Sequence, residues 1–317
     1  MTILLTGADG FIGSYLYHYL SSKSISVIPT FYHSVNLASH PEFSSFISSF
    51  SSPPSLIIHC ASAPRNSELK YDQDSYINNI SMFQNLVNYS LANGIYLVNL
   101  ASGSDLSRDF WNGSIPDLGF LQHPPDLSDL HGFSKFTISS MIHSINSKYL
   151  LNLRLFGVFG EGENYLQKLV PNTIAKLHFN IVPTIVQDRL YDYLDVNDLA
   201  SFLLSLYYDI SSSFWKLDNC SNLNFCTGNL SSIFDIVSYI TNKLNPGIVP
   251  VLLKPGKGTA YGGSNHLFRS LFPNFQFSSL TDSLDRQVSF YLSRSCDFNK
   301  QELLTDSFLQ HAKSINK

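Results

Sequence analysis

Three groups of residues in this 317-residue chain have the types and spacing to do chemistry. The first is Thr6-Gly7-Ala8-Asp9-Gly10-Phe11-Ile12-Gly13, which follows the apolar run Ile3 to Leu5 and precedes a helical pattern from Ser14 to Leu20. A strand, a glycine turn and a helix in that order make a phosphate-binding corner. Gly7 allows the tight turn, Gly10 lets a pyrophosphate approach the backbone, and Gly13 lets helix and strand pack closely. The helix N-terminus adds N–H donors and a favourable dipole. Glycine turns also serve packing alone, but the strand before and the helix after favour the phosphate reading. The second group is Ser102, a hydroxyl at the carboxyl end of an apolar run, where open α/β sheets meet their ligands. The third is His131 and Lys135, four residues apart and therefore on one helix face, a spacing that suits a site or a plain solvated surface.

The rest of the chain has to position these groups, and its patterning alternates strand and helix. Apolar strands are expected at Ile25 to Phe31, Ser55 to Ala61, Ile95 to Leu100 and Leu150 to Phe156. Between them, Phe43, Phe46, Ile47 and Phe50 form a helical stripe, and Gln73 to Asn93 reads as a helix stopped by Gly94. Ser128 is the expected cap of the helix that carries His131. The Pro- and Asp-rich stretch from Asp105 to Asp126 is longer than ordinary connections and reads as a substrate loop or lid. His59, inside a strand, reads as a core histidine.

Beyond about Glu163 the alternation loosens. Tyr165 to His178 reads as helix, Ile181 to Val186 as extended, Val196 to Tyr208 as helix and Leu223 to Thr227 as a last strand. Asn229 is the expected cap of a helix from Ser231 to Leu244, with further helices at His266 to Leu271 and Leu280 to Leu292. The loop Lys254 to Gly263, with four glycines, reads as a flexible connector, or as a flap that closes over a ligand.

Composition narrows the function. Hydrophobic residues at 44% and charged residues at 14% describe a chain that buries a full core, and a net charge of −4 provides no electrostatic footprint for nucleic acid or an anionic membrane. Four cysteines without metal-ligand spacing read as free thiols in a reducing compartment, and no metal site is expected. No apolar run reaches the roughly 18 residues that cross a bilayer, so a cytoplasmic protein is expected.

Taken in order, these pieces resemble an extended short-chain dehydrogenase/reductase of the nucleotide-sugar epimerase, dehydratase and reductase family. The resemblance rests on Thr6 to Gly13, His59-Cys60-Ala61-Ser62-Ala63, Asn79, Ser102, the His131 to Lys135 segment, Leu153 to Gly160 and Tyr191 to Ala200. It implies an α/β fold: a Rossmann-type doubly wound parallel sheet with a smaller C-terminal α+β substrate domain. Residues 1–162 and about 187–228 would form the first domain, and about 163–186 and 229–317 the second. Gly7, Asp9, Gly10, Phe11, Ile12, Gly13, Tyr32, His33, Cys60, Ala61, Ser62, Lys135 and Phe156 would bind NAD or NADP. Ser104, Asn79, Gly157, Arg189 and Tyr191 would bind the nucleotide-sugar, and a homodimer is expected.

The resemblance also assigns roles. Ser102 would hydrogen-bond the reacting sugar oxygen, and Lys135 would hold the nicotinamide ribose. The family's proton-shuttling tyrosine is His131 here. Imidazole has an ordinary pKa near 6.5 against about 10 for phenol, so it can exchange a proton at neutral pH, and the Lys135 ammonium would disfavour its charged form. At the end of the second strand, Thr30, Tyr32, His33 and Ser34 include no carboxylate for a ribose hydroxyl, which tilts the choice toward NADP. Gly157 stands in place of a usual Asn and Tyr191 in place of a usual Arg, with Arg189 close enough to compensate. Gly103-Ser104 replace the Asp-Glu of dehydratases, so dehydration is not expected. The expected activity is an NAD(P)-dependent nucleotide-sugar epimerase or ketoreductase acting at sugar C4 in surface-polysaccharide precursor synthesis. The alternative is a catalytically impaired sensor or partner subunit of the same fold.

Overall fold

Alternate side chains of the short apolar strands serve two different cores. In the computed structural model, which describes residues 1–64, 66, 70–212, 217 and 220–314, the first half runs β1 (Thr2–Thr6), α1 (Phe11–Ser22), β2 (Ser26–Pro29), α2 (His40–Ser48), β3 (Leu56–His59), α3 (Gln73–Asn93), β4 (Tyr96–Ser102), α4 (Leu130–Ile145) and β5 (Leu150–Leu155). Then follow β6 (Gly157–Phe159), α5 (Leu169–His178), β7 (Thr184–Asp188), β8 (Leu190–Asp195), α6 (Val196–Ser211) and β9 (Asn222–Asn224). The chain finishes with β10 (Leu230–Ser232), α7 (Ile233–Leu244), β11 (Val251–Lys257), α8 (His266–Leu271), α9 (Leu280–Ser293), α10 (Lys300–Thr305) and α11 (Ser307–Ser314).

The main sheet has six strands in the order β2-β1-β3-β4-β5-β9, and every pairing is parallel. Ile3, Leu5, Leu56, Ile58, Val98 and Leu153 face a core with Leu16, Leu199 and Phe202, whereas Leu4, Ile57 and Leu97 face one with Phe83, Leu86 and Ile142. Period-two strands covered by helices on both faces make the doubly wound Rossmann-type arrangement. The strand order reverses between β1 and β3, which opens a crevice at their carboxyl ends. A third core, with Ile174, Ile236, Ile240, Leu284 and Val288, belongs to α5, α7 and α9, the smaller unit. It is accompanied by a three-stranded sheet, β10-β8-β6, and the pair β11-β7.

Several boundaries differ from the sequence expectation. Asp129, not Ser128, caps α4 by accepting from Gly132 N at 3.0 Å, while Ser128 donates its own N–H to Asp126. Ser232, not Asn229, caps α7. α5 starts at Leu169 rather than Tyr165, which places Pro171 in the first turn, where a missing N–H costs no helical bond. The last strand of the main sheet is Asn222–Asn224, just ahead of the expected Leu223 to Thr227.

One row of the sheet is polar although fully buried. On the α4 side of β4, β5 and β9, Asn99, Asn152 and Asn222 stand in register, as do Arg154 and Asn224. Asn152 accepts from Asn99 at 2.7 Å and donates to Ser139 and Asn222 at 2.8 and 2.9 Å. Arg154 binds the Asp105 carboxylate through Nε and Nη2, and through Nη1 it donates to the Asp117 carbonyl and Asn224. Both charged side chains are 0% exposed. Such a pair survives in a low-dielectric interior only if nearly every donor and acceptor is engaged, so losing one partner strands a buried charge. Arg154→Met should destabilise the fold by about 3–5 kcal/mol in urea unfolding. Asp105→Leu combined with Arg154→Met should cost less than the two single changes summed; additive costs would show that the two do not act as a pair.

Candidate active site

The glycine corner forms at the reversal of strand order. Gly7 turns at φ 71°, and a Cβ there would lie 2.7 Å from the backbone of Ala61, so β1 and β3 can approach only with glycine at this position. A Cβ on Gly13 would collide with the Gly7 carbonyl, which makes Gly13 a packing glycine. Gly10 differs: its Cβ would meet nothing closer than 3.5 Å, so the protein itself does not demand glycine there and the backbone lies open to a ligand. Gly10 is also the N-cap of α1, with no side-chain cap and no acidic residue in the first turn, leaving the helix N-terminus suited to an anion.

A groove of about 660 Å³ runs from this corner and is lined by Gly7, Asp9, Gly10, Tyr32, His33, Cys60, Ala61 and Ser62, all residues expected to hold the cofactor. Asp9 accepts the Tyr32 N–H at 2.8 Å and so fixes the exit of β2 against the corner. Phe11 lines an adjoining cavity of about 490 Å³ that shares Asp9 and Gly10, whereas Ile12 packs against the core. Asn79, expected at the substrate, lies beneath the groove, where its Oδ1 accepts from Ala63 N at 2.8 Å and Ser62 Oγ at 3.4 Å.

Ser102 ends β4 in a tight turn. Its Oγ accepts from Ser104 N and Ser104 Oγ at 3.2 and 3.0 Å. α4 lies directly on this turn because residue 132 is glycine; a Cβ there would sit 2.7 Å from the Ser104 carbonyl. That close approach brings Lys135 back to β4, with Nζ 3.5 Å from the Leu100 carbonyl. Burial lowers the Lys135 pKa, partly offset by the Asp105 carboxylate. Burial, reinforced by Lys135, pushes His59 down to about 3, and His59 Nδ1 lies 2.7 Å from Thr6 Oγ1, making it a neutral core histidine as expected. The His131 ring stacks on Tyr71 with centroids 4.5 Å apart.

A cavity of about 380 Å³ collects Phe156, Gly157, Arg189 and Tyr191 together with Glu163, Lys168 and, from α11, Phe308 and His311. Gly157 is required by β6: a Cβ there would lie 2.6 Å from the Asp192 carbonyl, so a larger residue needs the backbone to shift. Glu163 accepts from Gly160 N at 3.2 Å, and burial pushes its carboxyl up to about 7. No cluster of metal-ligating side chains occurs among the described residues, and the four cysteines are free.

The segment read as a flexible connector is firmly anchored. Val251–Lys257 pairs with β7, Tyr261 N donates to the Leu190 carbonyl at 2.8 Å, and Asp192 N donates to the Tyr261 carbonyl at 3.0 Å. Ile115 N donates to the Gly262 carbonyl at 3.1 Å. Gly262 and Gly263 serve close approach here rather than mobility, since a Cβ on Gly263 would strike the Phe156 ring and one on Gly262 would lie 2.7 Å from Leu230. The loop 105–126, expected as a substrate loop or lid, is likewise pinned by buried Leu106, Ile115 and Phe120. Sequence reasoning missed Tyr261, whose hydroxyl lies 3.3 Å from Ser102 Oγ. The one signal was an aromatic residue inside a run of glycines.

A family model described as the NAD dependent epimerase/dehydratase family matches residues 3–212. No curated protein sequence matches the chain. A GDP-L-fucose synthetase from Naegleria fowleri bound to NADP is similar in structure, with 18% identity and a TM-score of 0.77 over 94% of this chain and 95% of its own. A GDP-mannoheptose C4 reductase from Campylobacter jejuni with NADP bound has 16% identity and a TM-score of 0.76 over 92% and 98%. A UDP-glucose 4-epimerase from Thermotoga maritima with UDP-glucose has 16% identity and a TM-score of 0.74 over 93% and 99%. At these identities the likeness is one of fold.

The buried Glu163 makes stability depend on pH. Its folded-state value of about 7 stands above the ordinary 4.5, so between them the folded chain keeps a proton that the unfolded chain has released. Its contribution is fully present below about pH 4.5 and is lost as pH rises through about 7. Glu163→Gln should remove a decline of up to about 3 kcal/mol, read as urea midpoints on either side of this window; a variant with the wild-type pH slope would refute the assignment.

Proposed function

The chain belongs to the NAD dependent epimerase/dehydratase family, and we propose that within it the protein is an NAD(P)-dependent nucleotide-sugar epimerase or ketoreductase acting at sugar C4. The observation that carries this reading is the convergence of the Gly7 to Gly10 groove, the Ser102 hydroxyl and the Lys135 ammonium at the carboxyl ends of β1, β3 and β4. Bound there, the nicotinamide would take hydride from a sugar carbon or give it back. The α1 N-terminus and Gly10 would bind the pyrophosphate, and Lys135 would hold the ribose. Ser102 donates to the sugar oxygen as charge develops on it, and His131 exchanges a proton with the site.

The nucleotide belongs in the 380 Å³ cavity, where Arg189 and Lys168 supply the cations a diphosphate requires. The absence of a carboxylate at the end of β2 favours NADP, as does the fold likeness to a synthetase and a reductase that both hold NADP. A second reading, a cofactor-binding sensor without catalysis, is favoured by the stacking of His131 on Tyr71 and by the cover of Tyr261 over Ser102.

Calorimetric titration with NAD, NADP, their reduced forms and a panel of nucleoside diphosphates tests the proposal. One dinucleotide and one nucleoside diphosphate should bind together, and Lys135→Met should weaken the dinucleotide by roughly tenfold, the worth of one charged hydrogen bond. Binding of the dinucleotide without any nucleotide or turnover selects the sensor, and no dinucleotide binding removes both. His131→Tyr separates the readings further: an adapted catalyst loses rate or changes its pH profile, whereas a decayed site starts from none.

A further inference from the structure

The proposed chemistry leaves one well-placed hydroxyl unused. Tyr261 is buried among Trp111, Phe156 and Tyr191, with ring centroids 4.3, 5.3 and 5.6 Å away. That apolar cluster, completed by Leu106, Ile115 and Cys226, would be filled as well by phenylalanine. A buried phenol needs a polar partner, and the one placed against it is Ser102 Oγ, at 3.3 Å.

We infer that Tyr261 is a catalytic residue for reduction of a nucleoside diphosphate keto-sugar, its hydroxyl converging with that of Ser102 on the sugar oxygen and donating the proton that oxygen takes up. The inference rests on the oxidoreductase reading above. Both hydroxyls rotate freely about their C–O bonds, so a carbonyl oxygen that replaces their mutual contact receives two donors. Neither donor drifts. Ser102 is the end of a central strand, and the Tyr261 backbone is bonded to Leu190 and Asp192 of β8. The phenol thus comes from the strap bonded to β8, a different element from α4, whose first turn carries His131.

The step balances as a ketone reduction. As hydride from a reduced nicotinamide forms a C–H bond at the carbonyl carbon, the π pair moves to oxygen. The Tyr261 O–H bond breaks, its proton bonds to that oxygen, and the phenolate left behind takes a proton from water when the product leaves. Burial holds the Tyr261 phenol well above the usual tyrosine range, so it stays protonated at neutral pH. A resting phenol has a proton to give and none to receive, which suits ketone reduction better than epimerisation, since epimerisation must first deprotonate an alcohol; the same burial makes it a weak acid, so the proton moves only as charge develops on the sugar oxygen.

Tyr261→Phe keeps the ring and removes the donor. Calorimetry without dinucleotide compares UDP-glucose and GDP-mannose with UDP and GDP, and steady-state assays follow reduction of the corresponding 4-keto sugars. The variant should bind the nucleotide-sugar that the wild type accepts roughly two- to tenfold more weakly, the worth of one neutral hydrogen bond, and bind the bare nucleotide unchanged. Its kcat should fall about 100-fold or more, the range of general acid catalysis, with a much smaller change in KM. Equal losses for sugar and bare nucleotide would mark a packing role and overturn the inference, as would an unchanged kcat, while the oxidoreductase reading stands. A wild type that neither prefers any nucleotide-sugar over its nucleotide nor reduces a keto-sugar overturns both.

Discussion

The buried pair of Asp105 and Arg154 is the constraint on which the site depends. A fully buried guanidinium and carboxylate are costly to desolvate, and they are tolerated here because Nε, Nη1 and Nη2 of Arg154 all reach acceptors within 3.0 Å. Those acceptors come from three places: the turn after Ser102, the carbonyl of Asp117 in the long loop, and Asn224 on β9. Satisfying one side chain therefore fixes the end of β4 against β5, β9 and the loop. Ser139 of α4 donates to the same carboxylate at 2.8 Å and ties the helix bearing His131 and Lys135 to the same point.

Around that anchor, glycines set how closely the segments approach. Gly132 lets α4 rest on the Ser104 carbonyl, and Gly103 and Gly263 leave room for opposite edges of the Phe156 ring. A side chain at any of these positions would push apart elements that must meet at Ser102. Glycine contacts thus set how closely these elements approach, whereas the polar row beneath them supplies rigidity.

Electrostatics follow from burial. Lys135 sits between β4 and α4 with its charged form penalised, and its ammonium in turn helps keep His59 neutral. Glu163, in the cavity assigned to the nucleotide, is raised for the same reason and would oppose a phosphate if ionised, so its protonated form suits an anionic ligand better. Lys168 and Arg189, lining the same cavity, supply the opposite sign.

By itself the sequence determined what depends on local period and on residue type: the order of strands and helices, the glycine corner, the Ser102 hydroxyl at a strand end, the shared face of His131 and Lys135, and the family. These are legible because hydrophobic alternation and glycine turns are written within a few residues of one another. It left open what arises between residues distant in the chain. The cap of α4 moved by one residue because competing carboxylates at Asp126 and Asp129 are settled by geometry. The glycine-rich segment before Ser264 became a fixed strap only because β8 and Ile115 stand on either side of it to accept and donate its bonds. Asp105 and Arg154 are separated by 49 residues, and Ser102 and Tyr261 by 159. No periodicity spans such intervals; the partners are chosen when the cores form, because packing decides which polar groups end up out of water and must find each other.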